Sequence, residues 1–338
     1  MEGRDIYYGR KEAYDREKEL LEQSDVSQYN KELIQKFHRY LRKTGCKNYR
    51  ISKVSARVRR ICLWLRNKSL DAIDADDIDV LIEAIEGAKK LQPCKVDGTV
   101  VFKESSSKMT LNTQNDYKRT LKQLCRFLDK KELVEEVKIE KWKNNTIHRH
   151  LITEDELMMA VNGELNPRNQ AMLMLLHESG ARTEEFLNVR IGDIRKGDQV
   201  WHVRVDGKTG ERSIPVLLSI PYLVQWLNQH PQRDKPDASL WVFRLRGDEY
   251  RSIRYMGLRK VIDKAFAKVG LEHKKLNPHN FRHSRATILK AEHRLEGSLL
   301  KMYMGWSQFS TMESVYVHAN QQHVDAALLE ARGFKQPE

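Results

Sequence analysis

The feature that most constrains this chain is the stretch 276–318, which begins LNPHNFRHSRATIL and ends MGWSQFSTMESVYVH. Asn277 is suited to cap a helix that starts at the following proline, since asparagine favours the N-cap and proline the first helical position. His279, Arg282 and His283 then follow at i, i+3 and i+4, so they share one face of that helix. The spacing predicts a cluster of polar groups beside an apolar face, which is typical of a binding site.

Three motifs in this stretch resemble the C-terminal signature of the tyrosine recombinase (phage-integrase-like) family. They are H-x-x-R-H-S-x-A-T from His279, M-G-W ending at Trp306, and Tyr316 followed two residues later by His318. The M-G-W form is similar to the archaeal integrase or Xer-like branch of that family. In most members the position of Trp306 is filled by histidine, although tryptophan also occurs there.

The remaining members of the family's signature lie upstream in the expected order. Arg182 stands in GARTEEF, where Glu185 completes an Arg-x-x-Glu pattern. Lys208 stands in DGKTGERSIPV, which matches a β-hairpin that carries the family's lysine. Six positions in the right order are far more specific than any one of them. The resemblance is strong over roughly half of the chain and weak over its N-terminal part.

The resemblance implies a nucleophilic tyrosine and two arginines that surround one phosphodiester. Tyr316 would attack the phosphorus to give a 3′-phosphotyrosyl link and a free 5′-hydroxyl. Arg182 and Arg282 would donate paired hydrogen bonds to the non-bridging oxygens, where negative charge develops. Because the covalent link keeps the energy of the phosphodiester, another 5′-hydroxyl can rejoin the strand. No metal, ATP or other cofactor is therefore expected.

The other signature positions receive supporting roles from the same resemblance. Lys208 would act as general acid for the leaving 5′-oxygen. His279 would accept a proton or orient the phosphate, and Trp306 would donate its N–H to a phosphate oxygen and pack beside the nucleophile. Glu185 and His283 are expected to support this site.

Other interpretations of these residues remain open at this stage. An arbitrary tyrosine is most often a core aromatic, and Tyr303 in KMYMGW is the nearest rival to Tyr316. His279 and His283 could suggest a metal pair, but Asn280 stands where the glutamate of H-E-x-x-H would be. The functional alternatives to a recombinase are a type IB topoisomerase-like relaxing enzyme and a non-catalytic DNA-binding protein derived from a recombinase.

Charge supports a nucleic-acid partner. Sixty Lys and Arg against 47 Asp and Glu give a net charge of +13, and cationic side chains that neutralise phosphates release counterions. The four cysteines form no C-x-x-C pair, so no zinc site is expected. No signal peptide or long apolar run is present, and we expect a cytoplasmic protein without membrane segments that acts on double-stranded DNA sites.

The fold class that we expect is mainly α with a small antiparallel β-sheet, in two domains. Residues 1–26 form a charged helical segment, 27–138 a helical core-binding domain, 139–151 a basic linker, and 152–338 a mixed α/β catalytic domain. The segment 89–108 is expected to be a loop, with or without a short hairpin. Candidate DNA contacts in the core-binding domain share a cationic side chain on a helix: Arg57, Arg59, Arg60, Lys118, Arg119, Lys122 and Arg126.

The catalytic domain is expected to open with a capping box, in which Thr153 caps a helix and Glu156 bonds back to it. Strands are predicted at 189–194, 200–205 and 212–216, with Lys208 in the turn between the last two. Helices are predicted at 219–232 and 252–269. The C-terminal helix VDAALLEARGF resembles the segment that docks on a neighbouring protomer, which implies a homo-tetramer on DNA.

Overall fold

The structure is a computed structural model that describes residues 12–96, 99–140, 151–207, 210–291, 295 and 297–310. These residues form two compact units, one within 12–140 and one from residue 151 onward. Within the described part of the chain, no helix has both the length and the apolar character needed to cross a membrane.

The first unit is a helical bundle. Its helices are α1 (Ala13–Glu22), α2 (Gln28–Lys43), α3 (Asn48–Trp64), α4 (Ala75–Gly87) and α5 (Leu111–Phe127). Apolar residues at helical spacing, such as Ile34, Phe37 and Leu41 of α2, are fully buried in its core. The segment predicted as charged and helical at residues 1–26 contains α1, and one face of this helix is buried, because Tyr14 and Leu21 lie in the same core.

A β-hairpin lies between α4 and α5, where the sequence left a loop or a short hairpin open. Strand β1 (Lys89–Val96) pairs antiparallel with β2 (Thr99–Lys108). The pairing extends from Lys89 opposite Lys108 to Val96 opposite Thr99. The hairpin is thus longer than the composition of this segment suggested.

The second unit packs seven described helices around small sheets. The helices are α6 (Glu154–Asn162), α7 (Pro167–Ser179), α8 (Thr183–Asn188), α9 (Ile220–Gln229), α10 (Tyr255–Ala267), α11 (Pro278–Ala291) and α12 (Gly297–Met304). The predicted capping box is confirmed, because Thr153 and Glu156 each accept from the other's backbone N–H. The predicted start of α11 is also confirmed, since the backbone N–H of His279 donates to the Asn277 side chain at 2.8 Å.

Three short strands form the main sheet of this unit in the order β3 (Ile194–Arg195), β4 (Trp201–Gly207) and β5 (Gly210–Val216). The last two confirm the predicted pair of strands. The predicted strand at 189–194 is wrong, because α8 runs to Asn188 and a 3-10 turn occupies Ile191–Asp193. A second pair, β6 (Val242–Arg244) and β7 (Tyr250–Ser252), was not predicted. The mainly α fold class with small antiparallel sheets is confirmed.

Candidate active site

Arg182 lies at the junction between α7 and α8. Helix α7 ends at Gly180, which adopts a left-handed φ of 53° that favours glycine. Arg182 then caps α8, and its backbone N–H donates to Glu185 Oε2 at 2.9 Å. Its guanidinium donates from Nη1 to Glu185 Oε1 at 2.7 Å and from Nη2 to the carbonyl oxygen of Gly305 at 2.7 Å. The side chain remains 30% exposed, so a ligand can reach it.

Arg282 approaches the same turn from α11. Its Nη1 donates to the carbonyl oxygen of Gly180 at 2.7 Å, and its Nη2 donates to that of Met304. The guanidinium carbon lies 5.9 Å from the centre of the Trp306 ring, within the range of a cation–π contact. The consecutive carbonyls of Met304 and Gly305 therefore each accept from one of the two predicted phosphate-binding arginines. We call residues 304–306 the M-G-W turn.

Glu185 holds two arginines at once. It is 1% exposed, and its Oε2 also accepts from Nη2 of Arg212 at 2.8 Å. Burial by itself would raise the pKa of this carboxyl, but the hydrogen bond and charge of Arg212 and the hydrogen bonds of Arg182 outweigh it and lower the pKa to about 2. Glu185 is therefore ionised, in agreement with its predicted supporting role.

Arg212 was absent from the residues predicted for the site. It lies on β5 at the same alternate positions as the buried Ile214 and Val216. It therefore shares the inward face of the strand with them. A cation on the same strand face as two core residues was the signal in the sequence that could have identified Arg212. Its partners, Glu185 and the carbonyl of Tyr303, are distant in sequence and could not be read from it.

The two histidines of α11 lie side by side, with ring centres 5.2 Å apart. Burial, followed by the charges of Arg282 and Arg182, lowers the pKa of His279. Burial, His279 and Arg282 lower the pKa of His283 to about 4. Both rings are neutral at pH 7, so His279 can accept a proton. No group of three His, Cys, Asp or Glu in the described residues could hold a metal ion.

The rival tyrosine is engaged in the structure of this unit. The hydroxyl of Tyr303 donates to the carbonyl oxygen of Glu178 at 2.7 Å, and the Arg285 guanidinium lies 5.6 Å from the ring centre. Burial raises the pKa of Tyr303 above its ordinary value. A buried hydroxyl that already donates to the backbone is a poor nucleophile.

Two predicted catalytic residues, Lys208 and Tyr316, lie outside the described residues. Strand β4 ends at Gly207 and β5 begins at Gly210, so the chain positions on both sides of Lys208 are defined and are opposite each other in the ladder. The roles of Lys208 and Tyr316 stay predictions.

The candidate DNA contacts of the first unit fall into two groups. Arg60 and Lys118 are buried, and they bond to Glu104 at 3.0 Å and Glu86 at 2.8 Å respectively. In each of these ion pairs a carboxylate balances the positive charge, which argues against the prediction of Arg60 and Lys118 as phosphate contacts. Arg59 likewise forms an ion pair with a carboxylate, that of the buried Glu17, at 3.2 Å.

The other four candidates line one groove of about 650 Å³ between α3 and α5. Arg57 and Arg119 both bond to Asp116 there, at 2.6 and 3.0 Å. One carboxylate shared by two arginines leaves net positive charge in the groove. The cations that line it are Arg50, Lys53, Arg57, Arg119, Lys122 and Arg126.

Comparison with known proteins places the second unit in a family. The model of the phage integrase family matches residues 151–323, about half of the chain. Tyrosine recombinase XerA of Pyrococcus horikoshii is 28% identical over 197 residues, which are 57% of this chain and 66% of that protein. The chain spans between half and two thirds of the length of the first curated relatives it matches.

Solved structures show a similar fold. The XerH site-specific recombinase, in a post-cleavage complex with a palindromic difH substrate, has a TM-score of 0.63 at 17% identity and is covered over 96% of its chain and 97% of this one. A lambda integrase tetramer bound to a Holliday junction has a TM-score of 0.57 at 14% identity, over 81% of its chain and 88% of this one. At these identities the likeness concerns the fold alone.

Proposed function

Because the chain belongs to the phage integrase family, we propose that it is a site-specific DNA recombinase that cleaves and rejoins strands through a 3′-phosphotyrosyl intermediate. The observation that carries this proposal is the convergence of Arg182 and Arg282 on consecutive carbonyls of the M-G-W turn, beside a neutral His279. The meeting of residues from three separate segments of the chain supports the proposal.

The geometry suits phosphoryl transfer. Guanidinium groups bind phosphate oxygens with two parallel N–H donors, and their fixed positions require little reorganisation during the reaction. Carbonyl oxygens of the M-G-W turn and of Gly180 orient Arg182 and Arg282 without cancelling their charge. Each preorganised donor of this kind is worth about 10²–10³ in rate.

In the proposed reaction Tyr316 attacks the scissile phosphorus, and its phenolic proton passes to His279 or to solvent. The phosphorus–oxygen bond to the 5′-carbon breaks as Lys208 gives a proton to the leaving oxygen. A phenol has a pKa of about 10, and cationic groups around the Tyr316 side chain would favour its phenolate form. Rejoining reverses these steps with a 5′-hydroxyl of another strand.

The duplex is proposed to contact the cationic groove of the first unit, whose side chains can track phosphates. We further propose a homo-tetramer on DNA, assembled by exchange of the C-terminal helix, and a role in an archaeal mobile element. The lambda integrase tetramer on a Holliday junction supports the oligomeric state by its fold.

A covalent-trapping assay tests the function. Duplexes bound from a random-sequence library would supply a site, and a nicked version would be incubated with protein and EDTA before a denaturing gel. We expect an adduct that survives SDS and is absent in Tyr316→Phe, whereas Tyr303→Phe, the matched control, retains it.

Three other results would redirect the proposal. Retained DNA binding without any adduct would favour the hypothesis of a non-catalytic DNA-binding protein derived from a recombinase. An adduct that persists in Tyr316→Phe would refute the assigned nucleophile. Relaxation of supercoiled plasmid that lacks the selected site, at the same rate as plasmid that carries it, would favour a topoisomerase-like enzyme.

A further inference from the structure

Arg212 makes a set of contacts that join three parts of the second unit. From β5 its Nη2 donates to Glu185 Oε2 at 2.8 Å, and its Nε donates to the carbonyl oxygen of Tyr303 at 3.3 Å. Its side chain is only 11% exposed. The same guanidinium therefore bonds to the partner of Arg182 and to the segment that leads into the M-G-W turn.

The charges of this cluster do not cancel. Arg182 and Arg212 contribute two positive charges against the single carboxylate of Glu185, so the three residues carry a formal net charge of +1. If Arg212 were neutral, Glu185 would balance Arg182 alone and the net charge would be zero. The net attraction of the cluster for a phosphodiester would then fall, because the ionised carboxylate repels the negatively charged phosphate.

Arg212 also fits closely against the M-G-W turn. Gly305 has a φ of 62°, and a Cβ built on it would lie 2.6 Å from Nη1 of Arg212. That Nη1 is buried without a hydrogen-bond partner among the residues that the structure describes. A buried unpaired donor lowers stability, so this arrangement does not serve folding alone.

We infer that Arg212 is a positioning residue that keeps the cluster of Arg182, Glu185 and Arg212 net positive toward the scissile phosphate, by sharing Glu185 and by holding the M-G-W turn. Arg212 itself does not touch the phosphate in this scheme. The inference rests on the proposed strand cleavage, and its test separates the two.

The first arm compares two substrates in single-turnover cleavage. One carries the normal phosphodiester, and the other a methylphosphonate at the scissile position, which has no negative charge. Arg212→Met should slow cleavage of the phosphodiester by about 10–100-fold, as expected for a misplaced or neutralised donor. On the methylphosphonate the loss should be under about 3-fold, since a neutral group gains little from a cation. Arg212→Lys, which keeps the charge, should recover part of the rate.

A second arm measures binding alone, in Tyr316→Phe protein. With Arg212 present, the phosphodiester duplex should bind more tightly than the methylphosphonate duplex, and Arg212→Met should remove that preference. In the double variant Arg212→Met/Glu185→Gln the preference should return, because the cluster again carries +1.

The outcomes are distinct. Equal losses on both substrates, with an unchanged binding preference and no recovery in the double variant, would overturn the positioning role and leave Arg212 a structural residue. If the wild-type protein forms no adduct, the proposed function fails, and the binding arm still decides the inference. Thermal melting of each variant identifies unfolded protein before either arm is interpreted.

Discussion

Three cations of the first unit are held differently from three arginines of the second. In the first, Arg59, Arg60 and Lys118 each bond to a carboxylate of their own. In the second, Arg182 and Arg212 share one carboxylate, and Arg282 donates to the carbonyl oxygens of Gly180 and Met304. The first arrangement forms neutral pairs, and the second retains positive charge.

The difference teaches how a cation can be fixed without being neutralised. A carboxylate satisfies the N–H groups of a guanidinium and also cancels its charge. A carbonyl oxygen satisfies the N–H groups as a dipole and leaves the charge available to a ligand. Arginines that bond to carbonyls, or that share one carboxylate, are therefore the better candidates for phosphate contacts.

The largest expected effect separates Arg282 from its counterpart Arg60. Arg282→Met should lower the single-turnover cleavage rate by about 10³-fold, because it removes a preorganised donor to the phosphate. Arg60→Met should leave the rate per folded molecule unchanged and lower the free energy of unfolding by about 1–2 kcal/mol, since it removes a buried guanidinium that bonds to the exposed carboxylate of Glu104. Cleavage assays and urea unfolding of both variants measure the contrast.

The contrast between the two units would be contradicted if Arg282→Met and Arg60→Met had similar effects on cleavage and stability. A cleavage defect of similar size in Arg60→Met, at equal folded fraction, would show that enclosed pairs of the first unit also act on the chemistry. A defect in Arg282→Met that merely follows its loss of stability would remove Arg282 from the phosphate site.

A smaller effect is expected for two glycines with left-handed backbones, Gly305 in the second unit and Gly45 in the first. An added Cβ meets Arg212 at 2.6 Å from Gly305, and meets nothing within 4 Å from Gly45. Both alanine variants should lose about 1 kcal/mol from backbone strain. Gly305→Ala should also slow cleavage by about 10-fold, because the M-G-W turn and Arg212 must separate.

Unfolding and cleavage measured on both alanine variants test this difference. The expected pattern is a shared loss of stability with a cleavage defect in Gly305→Ala alone. Wild-type cleavage by Gly305→Ala would show that the turn tolerates displacement and would weaken its assigned part in holding the arginines.

The smallest expected effect concerns two histidines, the buried His38 of the first unit and the exposed His279 of the second. Burial, then Arg42 and Lys18, lowers the pKa of His38 in the first unit to about 4, and burial, then Arg282 and Arg182, lowers that of His279. A bound phosphate would offset the arginine charges and raise the pKa of His279, while His38, which contacts Tyr14, should stay near 4.

NMR titration of labelled histidines in Tyr316→Phe protein, with and without DNA, measures this effect. The sign follows from charge: an anion stabilises the protonated ring, so His279 should lose its proton at a higher pH when DNA is bound. An unchanged His279 pKa, or an equal rise at His38, would contradict a phosphate site beside His279.

Local chemistry was legible in the sequence. The caps at Thr153 and Asn277 were predicted from residue types, because each acts through bonds within a few residues. The order of Arg182, Lys208, His279, Arg282, Trp306 and Tyr316 predicted the family, and the family match confirms it.

Contacts between segments that are distant in the sequence could not be predicted from it. Strand propensity at 189–194 gave way to a 3-10 turn, where the backbone of Ile191 donates to the carbonyl oxygen of Ala238 instead of joining a ladder. Arg60 and Lys118 were predicted as DNA contacts, but both are buried and bond to carboxylates of β2 and α4. A helix face predicts which residues share a side, and packing decides which side is covered.

The sequence by itself therefore predicted the identity and order of the proposed reacting groups, since these depend on residue type and local spacing. Tertiary structure alone decided which cations are balanced by a carboxylate of their own and which are not. That outcome depends on whether a carboxylate or a carbonyl from a distant segment meets each guanidinium, as with Gly305 for Arg182 and Met304 for Arg282. Contacts across 123 and 22 residues are set by how helices and strands pack, which no local pattern encodes.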